Sequence, residues 1–329
     1  MKRAQYAQRG PVPHELIELV DFEVGKPGEN QVLIEVLAAP INPSDLLTLT
    51  GEYGMLPPLP AVGGNEGVGR ILKVGSGAEA WTEGEVVLLP PGSGTWSTHL
   101  LADAGKLIAV PTRADPLQLA MLTVNPPTAA LLLSEFVDLQ PGEWVIQNAA
   151  NSAVGGYLVQ LAKARGFKTV NIVRRDSALA AVRAEGGEVV LVDGPDLPAR
   201  VKEATAGAKL RLAIDAVGGL ATENLARCLG EGGTLVNYGA MSGQPCMLSP
   251  ASFVFRDLTL RGFWLARWFR SATPQQQYML FRELAQGIAS GQLKARIQAS
   301  FPLERIAEAL KLAASGERDG KVLLTPNQG

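Results

Sequence analysis

Trp144-Val145-Ile146-Gln147-Asn148-Ala149-Ala150-Asn151-Ser152-Ala153-Val154-Gly155-Gly156, taken with Thr169-Val170-Asn171-Ile172-Val173-Arg174-Arg175, decides the fold. Trp144–Ala149 reads as a strand and Gly155–Arg165 as a helix with Leu158, Leu161 and Ala162 on one face, stopped by Gly166. Thr169–Val173 is the next strand, and a helix is expected over roughly Ser177–Glu185. Strands follow at Glu188–Val192, Arg211–Val217, Thr234–Tyr238 and Leu258–Trp264. Apolar strands alternating with helices imply a parallel sheet covered on both faces, and the right-handed crossover rule makes it doubly wound.

The turn from Gln147 to Gly156 stands where such a sheet holds a pyrophosphate. A helix N-terminus offers unpaired N–H groups and a favourable dipole there, and small residues let the backbone come close. The strict G-x-G-x-x-G pattern is absent: its three positions read Ala150, Ser152 and Gly155. The turn alone therefore also fits a small-residue connection that packs helix on strand. Arg174-Arg175, at the end of the second strand, discriminates further. A site selective for NADH carries an acidic residue there, whereas two guanidiniums suit the 2′-phosphate of NADPH. A solvated basic pair is the alternative.

Outward from this core the texture changes. The first ~120 residues are short strands broken by Gly and Pro, among them Gln31–Ala38, Gly69–Val74 and Glu85–Leu89. After the parallel sheet the pattern mixes again: a helix at roughly Pro274–Ser290, then Ala295–Phe301, Leu303–Ala314 and Lys321–Leu324. This tail is expected to rejoin the first region. The domain expectation is a β-rich catalytic domain over 1–124 completed by 270–329, with a nucleotide domain over 125–269.

The 329-residue chain is 47% hydrophobic and 19% charged, an ordinary globular mix long enough for a sizeable core. Its 30 basic and 32 acidic side chains give a net charge of -2, with no overall pull toward nucleic acid or anionic membrane. Two cysteines, Cys228 and Cys246, build no disulfide framework and indicate a reducing compartment. Asn125-Pro126-Pro127 interrupts the longest apolar stretch, Leu117 to Ser134, so no membrane span is expected. The protein is read as soluble and cytoplasmic. A catalytic zinc needs three protein ligands. His14 and His99 lie far apart in sequence and neither cysteine has ligand spacing, so no metal is expected. Hydride transfer without a metal still needs a proton source. Tyr53, between Glu52 and Gly54 in a Gly/Pro-rich loop, can lean into a cleft and donate. Spacing alone favours the alternative, an aromatic packed on its loop.

The chain resembles the zinc-free medium-chain dehydrogenase/reductases, and within them the mitochondrial-type trans-2-enoyl-thioester reductases. The likeness rests on Asn42–Asp45, Gly51–Gly54, Leu59–Gly67 (LPAVGGNEG), Gly94–Trp96, Val124–Ala129, Val145–Ser152, Tyr238–Met241 and Leu260–Leu265. Zinc-dependent relatives carry a histidine ligand where Asn65 stands. The resemblance implies a Rossmann domain with a GroES-like catalytic domain, NADPH as cofactor, and an acyl thioester of coenzyme A or acyl carrier protein as substrate. It implies Tyr53 as proton donor, with Asn125 and Thr128 near the nicotinamide and substrate. Asn151, Ser152, Ala153 and Val154 would line the phosphates, Arg174 and Arg175 would take the 2′-phosphate, and Asp176 beside them is a further cofactor-binding candidate. Tyr238, Gly239, Ala240, Met241, Phe263, Trp264 and Leu265 would line the nicotinamide pocket, and Lys321 would reach the cofactor. A homodimer joined through the cofactor-domain sheets is also implied. Ala153 departs from the glycine usual in enoyl reductases, and Asp176-Ser177 could shift the phosphate partners by one position. Arg261, Arg267 and Arg270 suit either carrier phosphates or plain solvent exposure. Quinone or enal reduction and non-catalytic NADPH binding are the rival readings.

Overall fold

The computed structural model describes residues 1–111, 113–316 and 318–328. The chain divides into two units, Met1–Val124 with Phe281–Gly329, and Asn125–Leu280. The second crossing thus falls later than the 269/270 expected from sequence, inside the helix Pro274–Ala289.

Unit 1 is β-rich. Its strands are β1 (Lys2–Tyr6), β2 (Glu18–Asp21), β3 (Gln31–Pro40), β4 (Ala61–Val62), β5 (Val68–Val74), β6 (Val86–Leu88), β7 (His99–Asp103) and β8 (Ile108–Ala109). Strand β3 alternates half-buried and buried positions until Leu37, after which Ala38, Ala39 and Pro40 are all buried. That is the period-2 pattern of a strand with one face on a core. It pairs antiparallel with both β5 and β7, and Val32, Ile34 and Val36 point into a core shared with Trp96, Leu100 and Leu310.

Unit 2 contributes β9 (Trp144–Gln147), β10 (Lys168–Val173), β11 (Val189–Val192), β12 (Leu212–Asp215), β13 (Thr234–Asn237) and β14 (Thr259–Gly262). All pairings are parallel, in the order β11-β10-β9-β12-β13-β14. Counting β9 as the first strand, this is the 3-2-1-4-5-6 order of a dinucleotide fold. The carboxyl ends of β9 and β12 flank the point where strand order reverses, which is where such sheets bind ligands. Ile146, Val170, Ile172, Ala213 and Leu235 are all but inaccessible, as a sheet covered on both faces demands.

The chain then returns to unit 1 as β15 (Ile297–Phe301) and β16 (Lys321–Leu324), parallel to each other, with β16 antiparallel to β3. The expected tail is therefore part of unit 1's sheet.

Two sequence expectations need correction. The strand foreseen over Leu258–Trp264 ends at Gly262, and Leu265–Ser271 is a helix. Its apolar and aromatic run reads as strand material, but Trp264, Trp268 and Phe269 are only half-buried and Arg270 stacks over Trp264 at 5.1 Å. The helix foreseen over Ser177–Glu185 opens as a 3-10 turn, Asp176–Ala178, before Leu179–Ala184.

Candidate active site

Unit 2 presents its nucleotide features at the carboxyl end of the sheet. After β9 the backbone turns through Ala149, at φ 47°, into the helix Ala153–Ala164. Ser152 is the N-cap, and its Oγ accepts from the Gly155 amide at 3.1 Å. The remaining first-turn amides of that helix supply the donors a pyrophosphate needs. Gly155 is required: a Cβ there would lie 2.5 Å from the Ala150 carbonyl oxygen. The third position of the degenerate motif therefore keeps the helix–strand contact that glycine makes possible in dinucleotide folds. Ala153 opens the same helix and is half-buried, so the departure from glycine there is accommodated.

The other expected cofactor residues of this unit gather at the same end. Tyr238 follows β13 and hydrogen-bonds the Ser152 side chain; burial nevertheless pushes its phenol upward. Gly239 follows, and Ala240 and Met241 are exposed. Arg174, exposed, and Arg175, half-buried, leave the end of β10, and exposed Asp176 begins the next turn. Asn151 and Ser152 are half-buried and Val154 is buried. Phe263 meets Phe136 edge-on at 5.9 Å, and Trp264 caps the helix that begins at Leu265. Asn125 and Thr128 lie on one buried helix, Asn125–Leu132, started by Pro126 and Pro127. Prolines in a first turn lose no hydrogen bond, so the same residues that break an apolar span begin this helix.

Sequence reasoning missed the group that ties this end together. Asp215, at the end of β12, is fully buried and accepts five hydrogen bonds. Asn148 Nδ2 (2.6 Å), Val217 N (2.8 Å) and Gly218 N (3.1 Å) donate to Oδ1, and Thr222 Oγ1 (2.7 Å) and Asn237 Nδ2 (3.1 Å) to Oδ2. The carboxylate thus links the ends of β9, β12 and β13. The available signal was one aspartate ending an apolar strand, Leu212-Ala213-Ile214-Asp215.

In unit 1, Tyr53 is half-buried just beyond the helix Pro43–Thr50. Lys321 opens β16. Its ammonium is buried, donating to the Ile41 carbonyl at 3.2 Å and to Asn42 Oδ1. Asn42 Nδ2 donates to Glu66 Oε1 at 2.7 Å, and Thr123 Oγ1 to Glu66 Oε2 at 2.9 Å. Asp45 accepts from the amides of Asn42 (2.7 Å) and Asn65 (3.1 Å) and from the Asn65 side chain. Burial dominates their titration. It pushes Asp45 up to about 6 and Glu66 up to about 7 and pulls Lys321 down to about 8, against the mutual attraction of the charges.

This donor set does not fit zinc. Asn65 offers an amide, the carboxylates are engaged by amides and a hydroxyl, the ammonium is held by Asn42, and among the described residues no thiol or imidazole joins them. Among the described residues no three of His, Cys, Asp and Glu group to hold a metal ion. The nucleotide site, by contrast, fits a dinucleotide, since Gly155 lets the Ser152-capped helix start pack against Ala150 at the carboxyl end of the sheet. No helix among the described residues is long and apolar enough to cross a membrane.

A Rossmann unit joined to a GroES-like β unit defines a two-domain nucleotide-dependent oxidoreductase. Residues 153–281 match the zinc-binding dehydrogenase family, and residues 28–112 the alcohol dehydrogenase GroES-like domain. The chain belongs to the medium-chain dehydrogenase/reductase family. It is 38% identical over 322 residues to the mitochondrial enoyl-[acyl-carrier-protein] reductase of Bos taurus, covering 95% of this chain and 86% of that one. A Bacillus thuringiensis protein described as a putative NADPH:quinone reductase superposes with a TM-score of 0.89 at 28% identity, over 98% of each chain. Etr1p in complex with NADP and crotonyl-CoA superposes with a TM-score of 0.88 at 26% identity, over 98% of this chain and 99% of that one. Etr1p also occurs in a mitochondrial 2-enoyl thioester reductase heterodimer from Candida tropicalis.

Proposed function

We propose that this protein reduces the 2,3 double bond of trans-2-enoyl thioesters, carried on coenzyme A or acyl carrier protein, with NADPH. The observation that carries the reading is the 38% identity to an enoyl reductase along 95% of the chain, together with Tyr53 at the end of a well-fixed helix. The capped helix start, Ser152 to Val154, would hold the pyrophosphate. Arg174 and Arg175 would grip the 2′-phosphate, a role charge-assisted bonds suit. When bound, the cofactor supplies a hydride to the β-carbon. The π pair of the double bond moves toward the thioester, giving an enolate whose oxygen carries the charge. Donors from the Asn125 and Thr128 region hold that oxygen, and such oriented donors provide most of the acceleration in reactions of this type. The Tyr53 hydroxyl gives its proton to the α-carbon and is reprotonated from water.

The quinone reductase likeness supports a second reading, since that fold match is as close as the one to Etr1p. Quinone reduction needs no α-carbon protonation, so Tyr53 distinguishes the two. Tyr53→Phe should lower kcat on an enoyl thioester by about 10²-fold or more, the usual contribution of a positioned acid, with NADPH affinity retained. Unchanged turnover would remove the assignment. We also infer a homodimer formed through β14, the edge strand of the six-stranded sheet. Sedimentation at the mass of a single chain would exclude it.

A further inference from the structure

Tyr53 is fastened to the helix Pro43–Thr50, and that helix is fastened to a buried charge cluster. At its C-terminal end three consecutive amides converge on one acceptor. Gly51, Glu52 and Tyr53 donate to the Leu47 carbonyl at 3.0, 2.9 and 3.1 Å. Gly51 makes the reversal possible at φ 90°, and a Cβ there would stand 3.2 Å from Arg9 Cδ. Leu49 holds the underside of the helix in the core of unit 1. Eight residues at the usual rise give a stiff rod about 12 Å long. The placement of its first turn is therefore felt at Tyr53.

Four segments fix that first turn. Asn42 and Asp45 belong to the helix start, Asn65 and Glu66 to the GGNEG segment, Thr123 to the last residues of unit 1 before residue 125, and Lys321 to β16. Asn42 is the junction. Its amide donates to Asp45, its side-chain NH2 to Glu66, and its side-chain oxygen accepts from Lys321. The charged groups facing one another are two carboxylates and one ammonium, with Arg318 acting on Lys321 from the same side of the sequence.

We propose that Glu66, Asp45 and Lys321 are positioning residues for Tyr53, setting through Asn42 the register and direction of the helix that carries it. This rests on Tyr53 being the proton donor. Buried ion pairs contribute little net stability compared with apolar packing of the same volume, because desolvation offsets the attraction. What they supply is direction. An apolar helix end can slide and rotate, whereas one held by several oriented hydrogen bonds has one place. Proton transfer has a correspondingly narrow tolerance, near 0.5 Å and 10–20°. Without the Lys321 ammonium, the Asn42 oxygen loses a donor, Glu66 loses the charge that attracts it, and the helix start loses its reference. Turnover that survives should then draw its α-proton from water on either face.

The test uses the full chain, NADPH and crotonyl-CoA in D2O, which places one deuterium on the α-carbon. Lys321→Met and the double variant Glu66→Gln/Lys321→Met are compared with wild type and with Tyr53→Phe. Three quantities are read: kcat, the NADPH dissociation constant, and the configuration of the α-deuterium by NMR. Wild type should give one configuration. Both Lys321 variants should lose about tenfold or more in kcat, as misplacement of a reacting group does, with NADPH affinity nearly unchanged and a mixture of α-configurations. The configuration is a property of each turnover, so it decides even when much of a variant is unfolded. A single wild-type configuration in both variants overturns the proposal, whatever their rates. If Tyr53→Phe also keeps wild-type rate and configuration, the donor assignment itself has failed. If Tyr53→Phe scrambles the label and the Lys321 variants do not, only the positioning role has.

Discussion

Replacing Asp215 by asparagine should cost unit 2 a large part of its stability. The carboxylate receives five donors, more than the roughly four lone-pair sites it offers, so every acceptor direction is taken. In Asp215→Asn the amide oxygen must serve Asn148, Val217 and Gly218, because two of these are backbone amides that cannot turn away. The new NH2 then faces Thr222 and Asn237. The Thr222 hydroxyl can rotate to accept, but Asn237 Nδ2 is itself a donor to Gly239 and to Asp215, and opposes it. Bonds to a charged acceptor contribute about 1.5–3 kcal/mol and neutral ones about 1, so three retained bonds lose about 1 kcal/mol each, and the opposed donors add about 1 more. The sum is about 4 kcal/mol. At about 2–4 °C per kcal/mol for domains of this size, the thermal midpoint should fall by about 10 °C. Differential scanning calorimetry of the variant checks it. Asp196→Asn is the control, because Asp196 makes only an exposed pair with Arg200 and should move the midpoint by a degree or two at most. A shift under 3 °C for Asp215→Asn would instead show that the carboxylate's bonds are exchanged freely with water.

Three further outcomes follow from the same geometry. Arg174→Ala/Arg175→Ala should weaken NADPH by about 30-fold or more, at about 1–2 kcal/mol for each partly exposed charge-assisted contact, and leave NADH within about threefold; equal weakening of both would remove the 2′-phosphate role. The buried cluster should make stability depend on pH. Asp45 and Glu66 are raised in the folded state to about 6 and about 7, so the folded protein binds more protons than the unfolded chain between about pH 4 and 7, and their contribution falls as pH rises through that window. Lys321 is lowered to about 8, so its contribution rises from about pH 8 toward its ordinary value. The urea midpoint of Glu66→Gln should therefore decline less than that of wild type between pH 5.5 and 7.5, and parallel curves would contradict the burial of Glu66 as a titrating group.

How much of this could be read beforehand follows from the range of each interaction. The parallel sheet was legible because its signals are local: apolar runs, a small-residue turn, and Arg174-Arg175 at a strand end. Strand ends moved by one or two residues, as at Trp144–Gln147, since the last residues of an apolar run already belong to the turn. The helix Leu265–Ser271 was not legible, because its aromatic residues are half-buried and carry no clean helical stripe. Asp215 escaped notice because its partners lie up to 67 positions away, at Asn148. Lys321 was noticed but its surroundings were not, since Asn42 is 279 positions distant and no spacing rule links the two. The Asn42–Asp45 and GGNEG segments were recognised as motifs. What their residues do for one another appeared only when the sheet brought β16 beside β3.

A comparison of acceptors on one enzyme decides whether the substrate is an enoyl thioester. The initial rate of NADPH oxidation is measured with crotonyl-CoA, a longer trans-2-enoyl-CoA, a simple enal and a quinone, on the same enzyme. For the enoyl thioesters kcat/KM should exceed that for the enal and the quinone by about 10²-fold or more, the discrimination a site built for the substrate's polar groups achieves. A quinone or enal turned over as well as crotonyl-CoA, or better, would contradict it.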